Sequence, residues 1–290
     1  MPAIRVTITL PYDLRLAEGD YAGSGGAETV RVLAPELAEG MPPQTSVQAN
    51  FVNLDTADPD EIQREKARDA SQLLQWTNRL LRRYRAVTRR ADIIELTRAQ
   101  ASPFRYEVVG AGAAPEWSTA VEYEATGPQP VPLTVEQTTD AVRHGLLGGT
   151  EPSVADLFLL DAERALHQGR FREAVLFCWS TIDSVFNLKY NALVDAVLVG
   201  EWAAGRDFLK DHNFGMRNKM SAVMHFIANR SLFREPGNLW HQMTESYNKR
   251  NDIIHRGANA TEDDANRALE VARRIVTMMV AIPDPARAAP

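Results

Sequence analysis

The chain has 290 residues, which is long enough for two ordinary domains that each bury a core. Its 44% hydrophobic and 24% charged residues are typical of a globular protein and exclude an intrinsically disordered one. The formal net charge of -6 argues against a general nucleic-acid coat protein, so any contact with RNA must come from a local basic patch.

The expected location is the cytoplasm. The only cysteine, Cys178, excludes an internal disulfide framework and fits a reducing compartment. No apolar run is long enough for a transmembrane helix, and Arg5, Asp13 and Arg15 interrupt the N-terminal apolar residues where a secretion signal would need them unbroken.

The N-terminal half mixes strand and helix patterns. Apolar residues alternate along AIRVTITL (3–10) and along TSVQANFVNL (45–54), which predicts two half-buried strands. A helical pattern follows over 58–90, and FRYEVVG (104–110) and STAVEYEAT (118–126) predict two more strands. A proline-rich connector and a short helix near 134–147 complete a small mixed α/β domain, predicted over residues 1–147, with a sensor or regulatory role.

The glycine-rich stretch GLLGGTEPS (145–153) marks the predicted domain boundary. Beyond it every pattern is helical, and the predicted second domain covers 152–285 as an antiparallel helical bundle. The predicted helices cover 153–169, 171 to beyond 193, 216–230, 239–256 and 262–281. The fold class expected for the whole chain is therefore α+β.

The fourth helix of this bundle carries an anomaly. Asn238 is placed to cap its start, Gly257 to end it in a left-handed turn, and Thr261 with Asp264 to form a capping box for the next helix. Its predicted buried stripe contains Trp240, Met243, Tyr247 and Ile254, and Arg250 falls inside that stripe. A buried arginine must be paired or must face a site, because an unpaired buried charge is costly.

An arginine followed after a few residues by a histidine is by itself a weak pattern. A histidine at a helix end also complements the helix dipole, and an arginine there can extend to water. The spacing occurs twice here, since Arg206 and His212 also satisfy it, but that second pair is expected to lie in a polar connection without a helical stripe.

The wider context resembles the HEPN superfamily. The segment RNDIIH (250–255) is similar to that family's motif of an arginine, a polar residue and a histidine. Residues 165–193 resemble its paired first helices, and 256–279 resemble its closing turn and helix. The resemblance covers about 152–282, is strongest to the Apea-like and abortive-infection branches, and does not extend to the N-terminal half.

This resemblance implies a metal-independent endoribonuclease of bacterial antiphage defence or of a toxin-like stress response, with no cofactor and no metal. Arg250 and His255 would be its catalytic residues. The chemistry agrees, because histidine transfers protons near neutral pH and arginine offers a fixed positive fork to a phosphate. RNA supplies its own nucleophile, the 2′-hydroxyl.

Four neighbouring residues have weaker assignments. Asn251 either orients His255 or contacts the phosphate, or it is only a satisfied polar residue at an edge. Asp183, on the inner face of the second helix, is expected to pair with Arg250 or His255, or to form a purely structural salt bridge. Lys249 and Arg256 either add RNA contacts or are solvated charges.

The expected partners are an RNA substrate, a second copy of the chain and an antitoxin or regulator, and not a membrane. One Arg250–His255 pair supplies a single acid–base group, whereas cleavage benefits from both an acid and a base. A twofold axis beside the helix 239–256 would supply the second group, which the resemblance also implies. The alternatives are a silent HEPN domain that binds a nucleotide or partner protein, and a structural dimerisation module.

Overall fold

The structure, a computed structural model, describes residues 3–24, 28–36, 43–52, 58–101, 104–109, 133–149, 151–200, 203–211 and 215–283. The chain divides into two compact units, Met1–Pro152 and Ser153–Pro290. The division falls inside the glycine-rich stretch 145–153. The architecture is α+β, as predicted.

The first unit contains an antiparallel five-stranded sheet in the order β2-β3-β4-β1-β5. Its strands are β1 (Ala3–Thr9), β2 (Gly19–Ala22), β3 (Thr29–Glu36), β4 (Gln44–Val52) and β5 (Arg105–Val109). The predicted alternation is confirmed in β1 and β4, whose inward residues Ile4, Val6, Ile8, Val47, Ala49 and Phe51 are buried. The strands β2 and β3 were not predicted, and the predicted strand 118–126 lies outside the described residues.

Helices accompany this sheet. They are α1 (Pro59–Thr88), α2 (Arg98–Ala101) and α3 (Val135–Leu147). The predicted long helix is confirmed as α1, which begins after the cap Asp58 with proline at its first position. Leu73, Leu80 and Leu81 of α1 are fully buried in a core shared with the sheet.

Arginines at the C-terminal end of α1 pair with carboxylates or are buried. Arg79 contacts Glu28 and Glu151, Arg82 contacts Glu95 at 2.7 Å, and Arg85 is buried. The arginines thus tie the first unit together, and their carboxylate partners reduce the positive charge available to RNA.

The described part of the second unit is helical. Its helices are α4 (Val154–His167), α5 (Phe171–Val197), α6 (Ala203–Lys210), α7 (Met216–Asn218), α8 (Met224–Ala228), α9 (Leu239–Arg256) and α10 (Glu262–Val280). A π-helical turn, Lys219–Val223, joins α7 to α8, and a 3-10 turn, Leu232–Arg234, precedes α9. Helix α5 is central: α4, α9 and α10 all pack against it, around buried Trp179, Ile182 and Phe186.

Most predicted helices of this unit are confirmed within two residues, but one segment was wrong. Residues around Arg206 were expected to form a polar connection, and they form α6 instead. Arg206 lies 3.9 Å from Asp195, and His212 lies outside the described residues. No helix in the described ranges is both long and apolar enough to cross a membrane.

Candidate functional site

Helix α9 ends as its sequence predicts. Gly257 adopts a left-handed conformation with φ of 64°, and its amide donates to the carbonyl of Ile253 at 3.1 Å. Thr261 and Asp264 form the predicted capping box that starts α10. Arg250 and His255 therefore occupy the last two turns of α9. Asn238 precedes α9 as expected, but its side chain makes no capping hydrogen bond because its backbone is left-handed.

Trp179 fixes α9 against α5. Its indole Nε1 donates to the hydroxyl of Ser246 at 2.9 Å and to the carbonyl of Ser246 at 3.2 Å, and all of these groups are buried. The Trp179 and Tyr247 rings meet edge to face, with centroids 5.2 Å apart. Asp183 lies one turn after Trp179 on α5, and Arg250 lies one turn after Ser246 on α9, close enough for its charge to act on the Asp183 carboxyl.

The buried stripe of α9 differs from the prediction at its C-terminal end. Met243 and Ile253 are buried, whereas Ile254, which was predicted inside the stripe, is 47% exposed. Adjacent helical positions point about 100° apart, so only one of the two isoleucines can enter the core. At this end of α9 the Ile254 side chain is therefore left exposed.

Arg250 is half-buried. Its Nη1 donates to the side-chain oxygen of Asn251 at 3.0 Å, which is a neutral partner. Burial raises the pKa of the Asp183 carboxyl, and the Arg250 guanidinium partly offsets this rise. Among the described residues no carboxylate lies within 4 Å of Arg250, so the arginine interacts with Asp183 across a gap.

His255 is exposed, one turn beyond Asn251. It makes no hydrogen bond or ion pair with the residues that the structure describes, so both ring nitrogens remain accessible. The side-chain oxygen of Asn251 accepts the hydrogen bond from Arg250, so its NH₂ group remains able to donate a hydrogen bond to another group. The three side chains together offer a cation, a neutral donor and a proton-transfer group.

The two flanking cations have carboxylate partners. Lys249 lies 2.8 Å from Asp264, and Arg256 lies 3.1 Å from Asp252. Both pairs reduce the charge that these side chains present to a phosphate.

A further arginine, which the sequence prediction missed, contacts the same helix. Arg217 of α7 donates through Nη2 to the side-chain oxygen of Asn248, and its guanidinium lies 4.8 Å from the centre of the Tyr247 ring. Asn248 stands three residues before Asn251 and seven before His255, a spacing that is visible in the sequence. Arg217 carries no such signal, because it comes from a different segment.

The described residues contain neither a cluster of metal ligands nor an accessible thiol. No three His, Cys, Asp or Glu side chains among them gather in a way that would hold a metal ion. Cys178 is fully buried, and burial raises the pKa of its thiol to about 12, which disfavours the thiolate that a nucleophile requires.

Comparisons with models of protein families, with curated proteins and with solved structures found no match to this chain. The interpretation of the site therefore depends on its own geometry and chemistry.

Proposed function

We propose that the chain is a metal-independent endoribonuclease of HEPN type, which acts in the cytoplasm in bacterial defence or in a toxin-like stress response. The helical unit would be its HEPN-like catalytic domain, with Arg250, Asn251 and His255 at the reaction centre and the first unit as sensor or regulator.

The observation that carries this proposal is the pairing of a cation without a close carboxylate and an accessible histidine on one helix end. Arg250 is held by neutral Asn251, so its guanidinium can still form an ion pair with a phosphate. His255 is exposed one turn after Asn251. A purely structural arginine would be expected to have a carboxylate partner, as Lys249 and Arg256 do on the same helix.

The chemistry that follows is cleavage by the 2′-hydroxyl of the RNA. His255 takes the proton from the attacking 2′-hydroxyl or gives a proton to the leaving 5′-oxygen, and Arg250 stabilises the charge that grows on the phosphate. Asn251 orients Arg250 and donates to a phosphate oxygen. The products are a 2′,3′-cyclic phosphate and a 5′-hydroxyl.

A homodimer would complete the site. Ile254 is exposed beside His255, and burying it against a second copy would bring two α9 helices together. Each reaction would then have one histidine as base and the other as acid. The same exposed isoleucine also suits a purely structural dimerisation module, which is the second candidate function and predicts no cleavage.

The deciding experiment is RNA cleavage by the purified protein in EDTA. Cleavage should persist in chelator, and a 2′-deoxy nucleotide at the cut position should block it. His255→Ala should lower the rate about 10²- to 10⁴-fold, the usual contribution of a general acid or base. His241→Ala is the matched control, because His241 is also an exposed histidine of α9 and pairs with Glu245 at 3.2 Å. Equal rates in the two variants would refute the mechanism.

A further inference from the structure

Three side chains form a line along one side of α9. Asn248, Asn251 and His255 stand at positions i, i+3 and i+7, which fall on one helical face. Each asparagine accepts a hydrogen bond from an arginine: Arg217 binds Asn248, and Arg250 binds Asn251. Two arginine–asparagine pairs therefore lie on successive turns of α9, and the histidine follows them.

Arg217 is held by an aromatic ring and by a neutral side chain. It stacks over Tyr247 and donates to Asn248, and its Nε is buried without a hydrogen-bond partner. Within the described ranges no carboxylate lies within 4 Å of it. Two of its five N–H donors are on Nη1, which is left to bind an anion.

The cations that flank this line on α9 and α10 differ in this respect. Lys249 pairs with Asp264, Arg256 with Asp252, and Arg267 of α10 with Glu245 at 2.8 Å. Arg217 and Arg250 instead are held by asparagines and have no described carboxylate within 4 Å. An anionic ligand that spans both arginines would be attracted by these two charges.

We propose that Arg217 and Asn248 form a second phosphate subsite, one helical turn before the Asn251 that holds Arg250, which binds the phosphate next to the scissile one in a single strand of RNA. This inference rests on the proposed function. One turn of α-helix advances about 5.4 Å, so a strand that runs along α9 would meet Arg217, Arg250 and His255 in that order. Arginine suits both positions because its planar fork binds two phosphate oxygens at once.

The experiment measures binding separately from cleavage. The His255→Ala protein is titrated into a fluorescein-labelled single-stranded RNA of mixed sequence at several salt concentrations, and anisotropy gives the dissociation constant. Adding Arg217→Ala should weaken binding about tenfold, the usual loss for a hydrogen bond to a charged group. It should also reduce the slope of log affinity against log salt by about 0.7, the value for one phosphate on a single strand.

Two further variants sharpen the test. Arg267→Ala is the matched control, since it removes an arginine of α10 that Glu245 of α9 already pairs at 2.8 Å, and it should change neither affinity nor slope. Asn248→Asp places a carboxylate beside Arg217 without removing it, and Asn248 is exposed, so the fold should tolerate the change. Asn248→Asp should match Arg217→Ala, and it decides the matter if Arg217→Ala fails to fold.

The outcomes separate this inference from the proposed function. An unchanged affinity and slope in both Arg217→Ala and Asn248→Asp, or no RNA binding at all, overturns the subsite. A reduced slope in a protein that cuts no RNA upholds the subsite and refutes the nuclease. Cleavage that needs His255 but is indifferent to Arg217 upholds the nuclease and overturns the subsite.

Discussion

Two carboxylates of the helical unit, Asp183 and Asp264, have pKa values shifted in opposite directions. Burial raises the pKa of Asp183 above its ordinary value of 3.8, and Arg250 only partly offsets the rise. Burial would also raise the pKa of Asp264, but hydrogen bonds from Lys249 and from the amide and hydroxyl of Thr261 hold it below 3.8. As the pH rises, ionisation of Asp183 should therefore lower the free energy of unfolding, whereas ionisation of Asp264 should raise it.

We expect Asp183→Asn to gain stability relative to the wild type as the pH rises. A raised native pKa means that the contribution of Asp183 is fully present below 3.8 and is lost as the pH rises through the native pKa. Asparagine does not ionise, so the variant escapes this loss. Urea unfolding of both proteins between mildly acidic and neutral pH measures the difference, and parallel pH profiles would show that burial of Asp183 does not cost stability.

Asp264→Asn should change stability with pH in the opposite direction, losing stability relative to the wild type as the pH rises. Its lowered native pKa contributes stability above 3.8 that is lost as the pH falls through the native value. The variant should be less stable than the wild type at neutral pH, and the deficit should close in acid. Urea unfolding over the same pH range measures the deficit, and equal stability of the two proteins at neutral pH would show that the Lys249–Asp264 pair contributes nothing.

At the scale of single residues the sequence was informative where the signal was local. It identified Arg250 as anomalous, and in the structure the Arg250 charge acts on the pKa of the Asp183 carboxyl. It missed Arg217, because nothing near residue 217 shows that this side chain will stack on Tyr247, thirty residues along the chain. Contacts between segments are set by the tertiary fold, which the local pattern does not contain.

At the scale of elements, the end of α9 depends on Gly257. We expect Gly257→Ala to destabilise the protein by about 1 kcal/mol, because a left-handed conformation is costly for a residue with a Cβ atom. An added Cβ would meet nothing within 4 Å there, so the cost is one of backbone conformation alone. Thermal unfolding measures the change.

Gly205→Ala is the control for that substitution. Gly205 lies inside α6, where an added Cβ would make only an ordinary contact with Leu198 at 3.8 Å. Alanine should stabilise this helix by about 0.5–1 kcal/mol. Destabilisation of equal size at both glycines would contradict the assignment of the left-handed cap as the cause.

Helix ends were predictable because their determinants are adjacent in sequence. Helix α9 begins and ends at the predicted residues, and the capping box of α10 is present. The strands β2 and β3 were missed because β2 is short and β3 is stabilised by pairing with β4, which lies further along the chain. Which of Ile253 and Ile254 is buried depends on the position of α5, and the helical period alone does not determine that position.

At the scale of the whole molecule, each unit has its own hydrophobic core, one around the sheet and α1 and the other around α5. The glycines and proline of 145–153 predicted the place of the division, because such residues interrupt both helical and strand patterns. The helical unit contains every residue of the proposed reaction centre, so dimerisation of this unit is what the mechanism requires.

The dimer can be tested through Ile254, the exposed isoleucine beside His255. If two α9 helices meet there, Ile254→Glu buries two like charges at the axis and should convert the dimer to a monomer. Light scattering coupled to gel filtration measures the mass, and cleavage should be lost with the dimer because each site then lacks its second histidine. Val280→Glu is the matched control, since Val280 is 74% exposed at the C-terminal end of α10 and should tolerate the charge. A wild-type monomer at micromolar concentration, or an Ile254→Glu monomer that still cuts RNA, would show that one copy of the chain suffices.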